Sequence, residues 1–400
     1  MENIKKYLFE IIIAFEFLLL IALSYIFFNH TEGKESKAEN RYLASFPALK
    51  NADGSFSDTF AEDLTSWFED NLGLRDAYLT LSGMINYNLL HRPKTSRVEI
   101  GDNGFLYLAD EGNLALEASR TPEFANDMPE YAMKLQSVSD SLSEQGIDYV
   151  IMTAPGKPSI YPENIASSSH SIEDTVGDVF FDHMTENTDI KMVWPKDKLI
   201  EAKADKAGNP IYLKTDTHWT VYGRDIAYRD LIENLNKWGY KDIKPVEVSY
   251  YSPENEFIGD LSEMMGPVKL NGGRLSEEDY TDWKPVNENA VEILEGETYE
   301  AFQKLLYEKN IYNPELCSIY HNEEAPELNV LIFGDSMIRV CMMPELAETF
   351  SDLTFVWSYV PDQDIIDLIK PDLVISEYGE RELDLRLVDA DKGMKRSEEP

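Results

Sequence analysis

Short, nearly continuous apolar runs alternate with longer stretches of helical spacing through most of this chain. The runs at 147–153, 192–195, 329–333, 354–359 and 372–377 read as strands. Helices are predicted at 127–145, 196–205, 222–238, 337–350 and 362–369. A strand that is apolar along its whole length is buried on both faces, and its alternation with helices predicts an α/β fold with a largely parallel sheet covered by helices. Ahead of this region, residues 56–90 carry Phe60, Leu64, Trp67, Phe68 and Leu72 at helical spacing. Residues 97–108 alternate like a hairpin turning on Asp102, Asn103 and Gly104. The stretch 245–325 is polar and rich in Tyr, Glu and Gly, and is expected to be a long insertion with irregular structure.

Residues 7–28 depart from both patterns. They are apolar on all faces apart from Glu10 and Glu16, and long enough to cross a bilayer at about 1.5 Å per residue. Lys5 and Lys6 precede the run and Lys34 is the next basic residue, which keeps the N-terminus cytoplasmic and the rest of the chain outside. A cleavable signal peptide ending near Ala22 to Ser24 is the rival reading, but Tyr25 to Phe28 continue the apolar run beyond that site. The expected organisation is a membrane anchor over 1–29, a linker and helical lead-in over 30–96, an α/β domain over 97–385 with the insertion at about 245–325, and a flexible tail over 386–400.

Composition narrows the partners. Hydrophobic residues make up 43% of the 400 positions, enough for a sizeable core, which excludes global disorder. With 74 acidic and 36 basic residues the net charge is −38, a surface that repels phosphate backbones and excludes nucleic acid as the expected ligand. Cys317 and Cys341 are too few for a zinc site or a disulfide scaffold, and sequence leaves open whether they pair. Apart from His218, only His183, next to Asp182, has a carboxylate at suggestive spacing, and the five histidines other than His218 read as surface residues.

Two segments carry candidate chemistry. Asn329 to Phe333 runs as a strand into Gly334, Asp335 and Ser336 at the start of a helix. Glycine allows the tight turn, serine emerges at the carboxyl edge of the sheet, and the helix start offers N–H groups to a developing oxyanion. An ordinary helix N-cap explains the same residues. In Lys214 to Thr220, Asp216 and His218 sit two apart, so a carboxylate can orient an imidazole that removes a serine proton, with Trp219 as a wall excluding water. The plainer reading is an Asx-turn before a helix capped by Thr220. One His and one Asp fall short of a zinc set, so no metal is expected. Lys157 follows the strand at 147–153, where α/β proteins bind ligands. Arg381 follows the last strand, with a structural ion pair as its expected role and substrate contact as the alternative.

Together the segments resemble the extracytoplasmic SGNH-hydrolase-like proteins typified by the alginate O-acetyltransferases and the Gram-positive DHHW proteins. The matching features run in order over roughly residues 1–385: the apolar N-terminus, Asn40-Arg41 with Phe46-Pro47, Phe68 to Asp70 with Arg75, Glu99 to Tyr107, Ala154 to Lys157 with Ile160 to Pro162, Lys214 to Thr220, the Gly334 to Ser336 block, and Glu377 to Arg381. The Asp-x-His precedes the Ser, unlike ordinary secreted GDSL esterases. The DHHW string reads Asp-Thr-His-Trp here, which changes its second position and keeps the Asp and His. The resemblance implies Ser336 as nucleophile, His218 as general base and Asp216 as its orienting acid, with Asp335 bracing the turn.

The expectation is an SGNH-like extracytoplasmic enzyme, held in the cell membrane by one helix, that transfers acetyl groups to an exported or cell-wall polysaccharide through an acetyl-serine, without metal or organic cofactor. The resemblance implies a membrane-bound O-acyltransferase partner as acetyl source. A carbohydrate acetyl esterase with the same triad, or a non-catalytic polysaccharide-binding accessory, are the alternatives.

Overall fold

The computed structural model describes residues 15, 18, 19, 22, 26, 28, 34–36, 41–50, 54–93, 95–109, 121–165, 175–204, 210–277 and 280–394. It divides into two compact units, one of residues 1–99 with 258–276, the other of residues 100–257 with 277–400.

The larger unit is built on a seven-stranded sheet. Its strands in chain order are β1 (Asp148–Ala154), β2 (Lys191–Val193), β3 (Val291–Glu292), β4 (Ser318–His321), β5 (Asn329–Gly334), β6 (Asp352–Trp357) and β7 (Leu373–Gly379). They lie in the order β2-β1-β7-β5-β6-β4-β3. The first five are parallel, and β4 and β3 close one edge antiparallel. Alternation along the parallel strands sorts side chains onto two faces. Val150, Met152, Ile332 and Ile375 join one apolar cluster, and Tyr149, Ile151, Leu331, Phe333 and Val374 the other. Burial on both faces is why these strands are legible as unbroken apolar runs.

The edge departs from expectation. The stretch expected to be irregular supplies β3, β4 and a helix, Glu297–Glu308, whose Phe302 and Leu306 are fully buried. The helix expected at 337–350 is two, Ser336–Arg339 and Met343–Thr349, because Pro344 sits in the first turn of the second, where its missing N–H costs nothing. The tail expected from 386 is packed well beyond that point: Leu387 and Ala390 are buried with Leu383, continuing one apolar stripe at helical spacing. Residues 395–400 lie outside the described set. Cys317 and Cys341 are both buried and unpaired with each other.

The smaller unit contains helices Phe60–Asp70 and Arg75–Met84. Buried Asp70 accepts the Ala44 N–H at 2.7 Å and meets Arg75 at 3.4 Å, which gives the Phe68 to Asp70 and Arg75 pattern a structural role. Phe46 packs edge-on against Trp67 with ring centroids 4.9 Å apart. The predicted span at 7–28 falls mostly outside the described residues. Among the described residues no helix is long and apolar enough to cross a membrane.

One buried charge cluster in the larger unit makes stability depend on pH. Glu345, on Met343–Thr349, is fully buried and its oxygens accept no hydrogen bond among the described residues. Arg224 approaches it at 3.5 Å but is bonded more closely to Asp282, at 3.0 Å. Burial raises the Glu345 pKa from the ordinary 4.5 to about 7, against the pull of Arg224. The folded state therefore binds a proton that the unfolded state releases, and the stability this confers is present below the unfolded pKa and lost as pH rises through about 7. Glu345→Gln is expected to match the wild type at about pH 4 and to exceed it at about pH 8 by about 3 kcal/mol. Urea melts across that range check it, and parallel profiles would contradict it.

Candidate active site

The Asp-x-His segment is held by a lysine. Strand β1 runs out of the core into Pro155 and Gly156, and Lys157 then turns back inward, with only 4% of its surface exposed. Its ammonium donates to the carbonyls of Leu106 at 2.6 Å, Leu213 at 3.0 Å, Lys214 at 3.2 Å and Asp216 at 2.6 Å. The rings of Phe105 and Tyr107 lie 6.0 and 5.5 Å from the same nitrogen. A buried ammonium needs acceptors for its protons, and these carbonyls need donors, so each side stabilises the other. The sequence offers Lys157 as a ligand-binding candidate; the structure commits its charge to fixing the 213–216 backbone.

Further bonds close the segment. Tyr212 bridges antiparallel to Trp219, Thr220 N–H donates to Ile211 O at 2.8 Å, and Tyr212 Oη donates to Pro155 O. Glu277 accepts both the N–H and the hydroxyl of Thr215 at 2.6 Å. Thr220 caps helix Val221–Lys237 by accepting from Gly223 N. The capping reading of this segment is thus correct, but the segment is buried rather than a surface turn. Asp216 is 5% exposed, and one of its oxygens does two jobs. Oδ1 accepts the His218 backbone N–H at 2.9 Å and the His218 Nδ1–H at 2.6 Å. Because an ionised carboxylate only accepts, this bond places the ring proton on Nδ1 and leaves Nε2 as the basic nitrogen. Trp219 does not wall the site; it is buried in the core, with its ring 6.4 Å from Tyr212.

Ser336 opens helix Ser336–Arg339 directly after β5 and is half-buried. Asp335 is its N-cap, accepting the Met337 N–H at 2.7 Å and the Tyr359 hydroxyl at 3.2 Å. The expectation that Asp335 braces the turn fits this geometry. That cap occupies the Met337 N–H, so it is not the donor a developing oxyanion would use. Among the described residues no hydrogen bond joins the Ser336 hydroxyl to His218.

What brings the motifs to one place is a pocket at the carboxyl ends of β1, β5 and β7. Thr217, beside His218, and Met337, beside Ser336, both line it, with Tyr107, Gly156, Lys157, Gly379, Glu380 and Arg381. This is where open α/β sheets present ligand sites. Arg381 meets Glu382 at 3.7 Å, the ion pair expected for it, and also lines the pocket.

Two acidic residues near Arg381 carry more of the construction than the sequence indicated. Glu380 accepts the Gly156 N–H at 2.7 Å, the Ser159 hydroxyl at 2.6 Å and the Gly177 N–H at 3.1 Å, tying the loop after β1 to the loop after β7. Glu377, fully buried, accepts the Asp335 N–H at 3.0 Å. The available signal was a carboxylate inside a buried strand, Glu377, and another directly after it, Glu380. Away from the pocket, His321 pairs with Asp352 at 2.8 Å, and that hydrogen bond raises its pKa.

Comparison with known proteins places this architecture in a family. The probable alginate O-acetylase AlgJ of Azotobacter vinelandii is 22% identical over 199 residues, covering 50% of this chain and 49% of that protein. The AlgJ of Pseudomonas syringae is 24% identical over 165 residues. The chain thus spans about half the length, or less, of these curated relatives. Among solved structures, the O-acetyltransferase domain of Pseudomonas putida AlgJ aligns over 75% of this chain and 99% of its own, with 17% identity and a TM-score of 0.49. A family profile described as "SGNH hydrolase-like domain, acetyltransferase AlgX" matches residues 98–306, a span that includes Asp216 and His218 and stops short of Ser336. With more than half of its length matched, the chain belongs to the AlgX family of SGNH hydrolase-like acetyltransferase domains.

Proposed function

We propose that this protein is an O-acetyltransferase acting on an exported or cell-wall polysaccharide, with Ser336 as nucleophile, His218 as general base and Asp216 as the group that orients it. The observation that carries the reading is the Asp216–His218 pair, with Nδ1 bound at 2.6 Å, beside a pocket that the Ser336 helix also lines. In the first step the Ser336 hydroxyl attacks the carbonyl carbon of an acetyl donor, its proton passing to His218 Nε2. The leaving alcohol takes that proton as the ester bond breaks. In the second, a sugar hydroxyl attacks the acetyl-serine, His218 accepts its proton, and the proton returns to the Ser336 oxygen as it departs. The Ser336 N–H at the start of its helix is the oxyanion donor assigned here.

The apolar run at 7–28 supports an anchored, extracytoplasmic placement; the acetyl source in this reading, a membrane-bound O-acyltransferase, rests on the family resemblance alone. Phe15, Leu18, Leu19 and Ile26, described within that run, are helical and exposed, as side chains meant for lipid are. The test is incubation of purified residues 30–400 with a small chromogenic acetyl ester and a panel of wall and capsule oligosaccharides. Mass spectrometry is expected to find acetylated oligosaccharide, because a positioned hydroxyl outcompetes bulk water through its effective concentration. Loss of acetyl groups from pre-acetylated glycans, with no gain on any, would replace this reading with an esterase.

A further inference from the structure

Beneath the Ser336 turn two carboxyl groups meet. Glu377 lies on β7 opposite Gly334 of β5, since Phe333 is in register with Ser376. A side chain at Gly334 would bring a Cβ to 3.0 Å from Glu377 Oε2, and one at Gly379 would come to 3.1 Å from Asp335 Oδ2. Both glycines leave room for the acid pair. Glu377 Oε2 accepts the Asp335 N–H at 3.0 Å, which sets the two carboxyl groups side by side beneath the turn, where the charge of Asp335 acts on Glu377. Two carboxyl groups this close in the interior do not both ionise readily, because each charge disfavours the other. Asp335 already accepts from Met337 N and Tyr359 Oη, whereas Glu377 Oε1 is buried with no donor among the described residues. The proton therefore belongs on Glu377.

We propose that Glu377 is a positioning residue for Ser336: as a neutral acid it donates to the Asp335 carboxylate while accepting the Asp335 N–H, and these two bonds fix the turn that presents the nucleophile. The proposal rests on Ser336 being the acylated residue. Burial, and then the charge of Asp335, hold the Glu377 pKa well above the ordinary carboxylate range, while Arg381 pulls the other way. The other titratable groups around the pair are Tyr378 on the same strand, Tyr359 after β6, and Glu382 and Arg386 after β7. Losing the proton would set two charges against each other under the turn, so acylation falls at high pH while the fold persists.

The test compares wild type, Glu377→Gln and Glu377→Leu. A glutamine amide donates to Asp335 and accepts its N–H, so Glu377→Gln is expected to keep the acylation rate with a small acetyl ester within about threefold and to lose the alkaline decline. Glu377→Leu is expected to lower kcat by roughly tenfold or more with KM unchanged, while still melting cooperatively. Infrared difference spectra of wild type against Glu377→Gln are expected to show a neutral carboxyl band at neutral pH, a readout independent of activity. Absence of that band, a Glu377→Gln pH profile identical to wild type, or an acylation rate unchanged in Glu377→Leu overturns the proposal. If wild-type Ser336 takes no acyl group, the acyl-transfer reading itself fails and the positioning claim falls with it.

Discussion

Ser336→Ala is expected to lower acetyl transfer by about four orders of magnitude or more, the scale on which a removed nucleophile costs an enzyme of this type. Stability should change by no more than about 0.5 kcal/mol, because the hydroxyl is half-buried and bonded to nothing that folding depends on. The helix start survives the change: its cap is Asp335, which holds Met337 N–H at 2.7 Å. Chemical denaturation and turnover of a chromogenic acetyl ester separate the two effects. An alanine variant that still transfers acetyl groups would move the nucleophile elsewhere.

Lys157→Met is expected to cost about 3 to 5 kcal/mol, the range seen when one side of a buried polar cluster is deleted. Methionine preserves most of the length and packing but leaves the carbonyls of Leu106, Leu213, Lys214 and Asp216 without their shared donor. Replacing a whole buried ion pair with apolar groups is often neutral, but here only the donor is removed and the carbonyls remain in the interior. The 213–216 backbone loosens, and with it the Asp216 carboxylate that sets the His218 ring. Acylation should therefore fall together with stability, and a urea melt with a parallel labelling assay measures both. A variant as stable as the wild type, with normal labelling, would show that the segment is held without the lysine.

How far the sequence foretold this depends on what each residue faces. Strands β1, β5 and β7 are buried on both faces, so water imposes no alternation on them and they stand out as apolar runs. Strands β3 and β4 are short and lie toward one edge, and their residues are partly exposed; the neighbours they pair with define them more than their own pattern does. The Asp216–His218 pair was legible because its partners are two residues apart. Lys157 and the 213–216 carbonyls are more than fifty residues apart in sequence, and backbone acceptors leave no side-chain signature. The same holds for Glu380, whose partners at Gly156 and Gly177 are backbone N–H groups. Tryptophan beside a candidate histidine suggested a wall, but the antiparallel bridge between Tyr212 and Trp219 turns that ring into the core.

The central claim is that acyl transfer passes through Ser336, and trapping the intermediate tests it most directly. Purified residues 30–400 would be mixed briefly with a small acetyl ester, quenched in acid, digested and mapped by mass spectrometry. The account predicts an acetyl group on the peptide containing Ser336, absent in Ser336→Ala, much reduced in His218→Ala, and lost from wild type when acceptor glycan is added before the quench. Acetylation that persists in Ser336→Ala, or a Ser336 peptide that never carries the group while transfer proceeds, would contradict it.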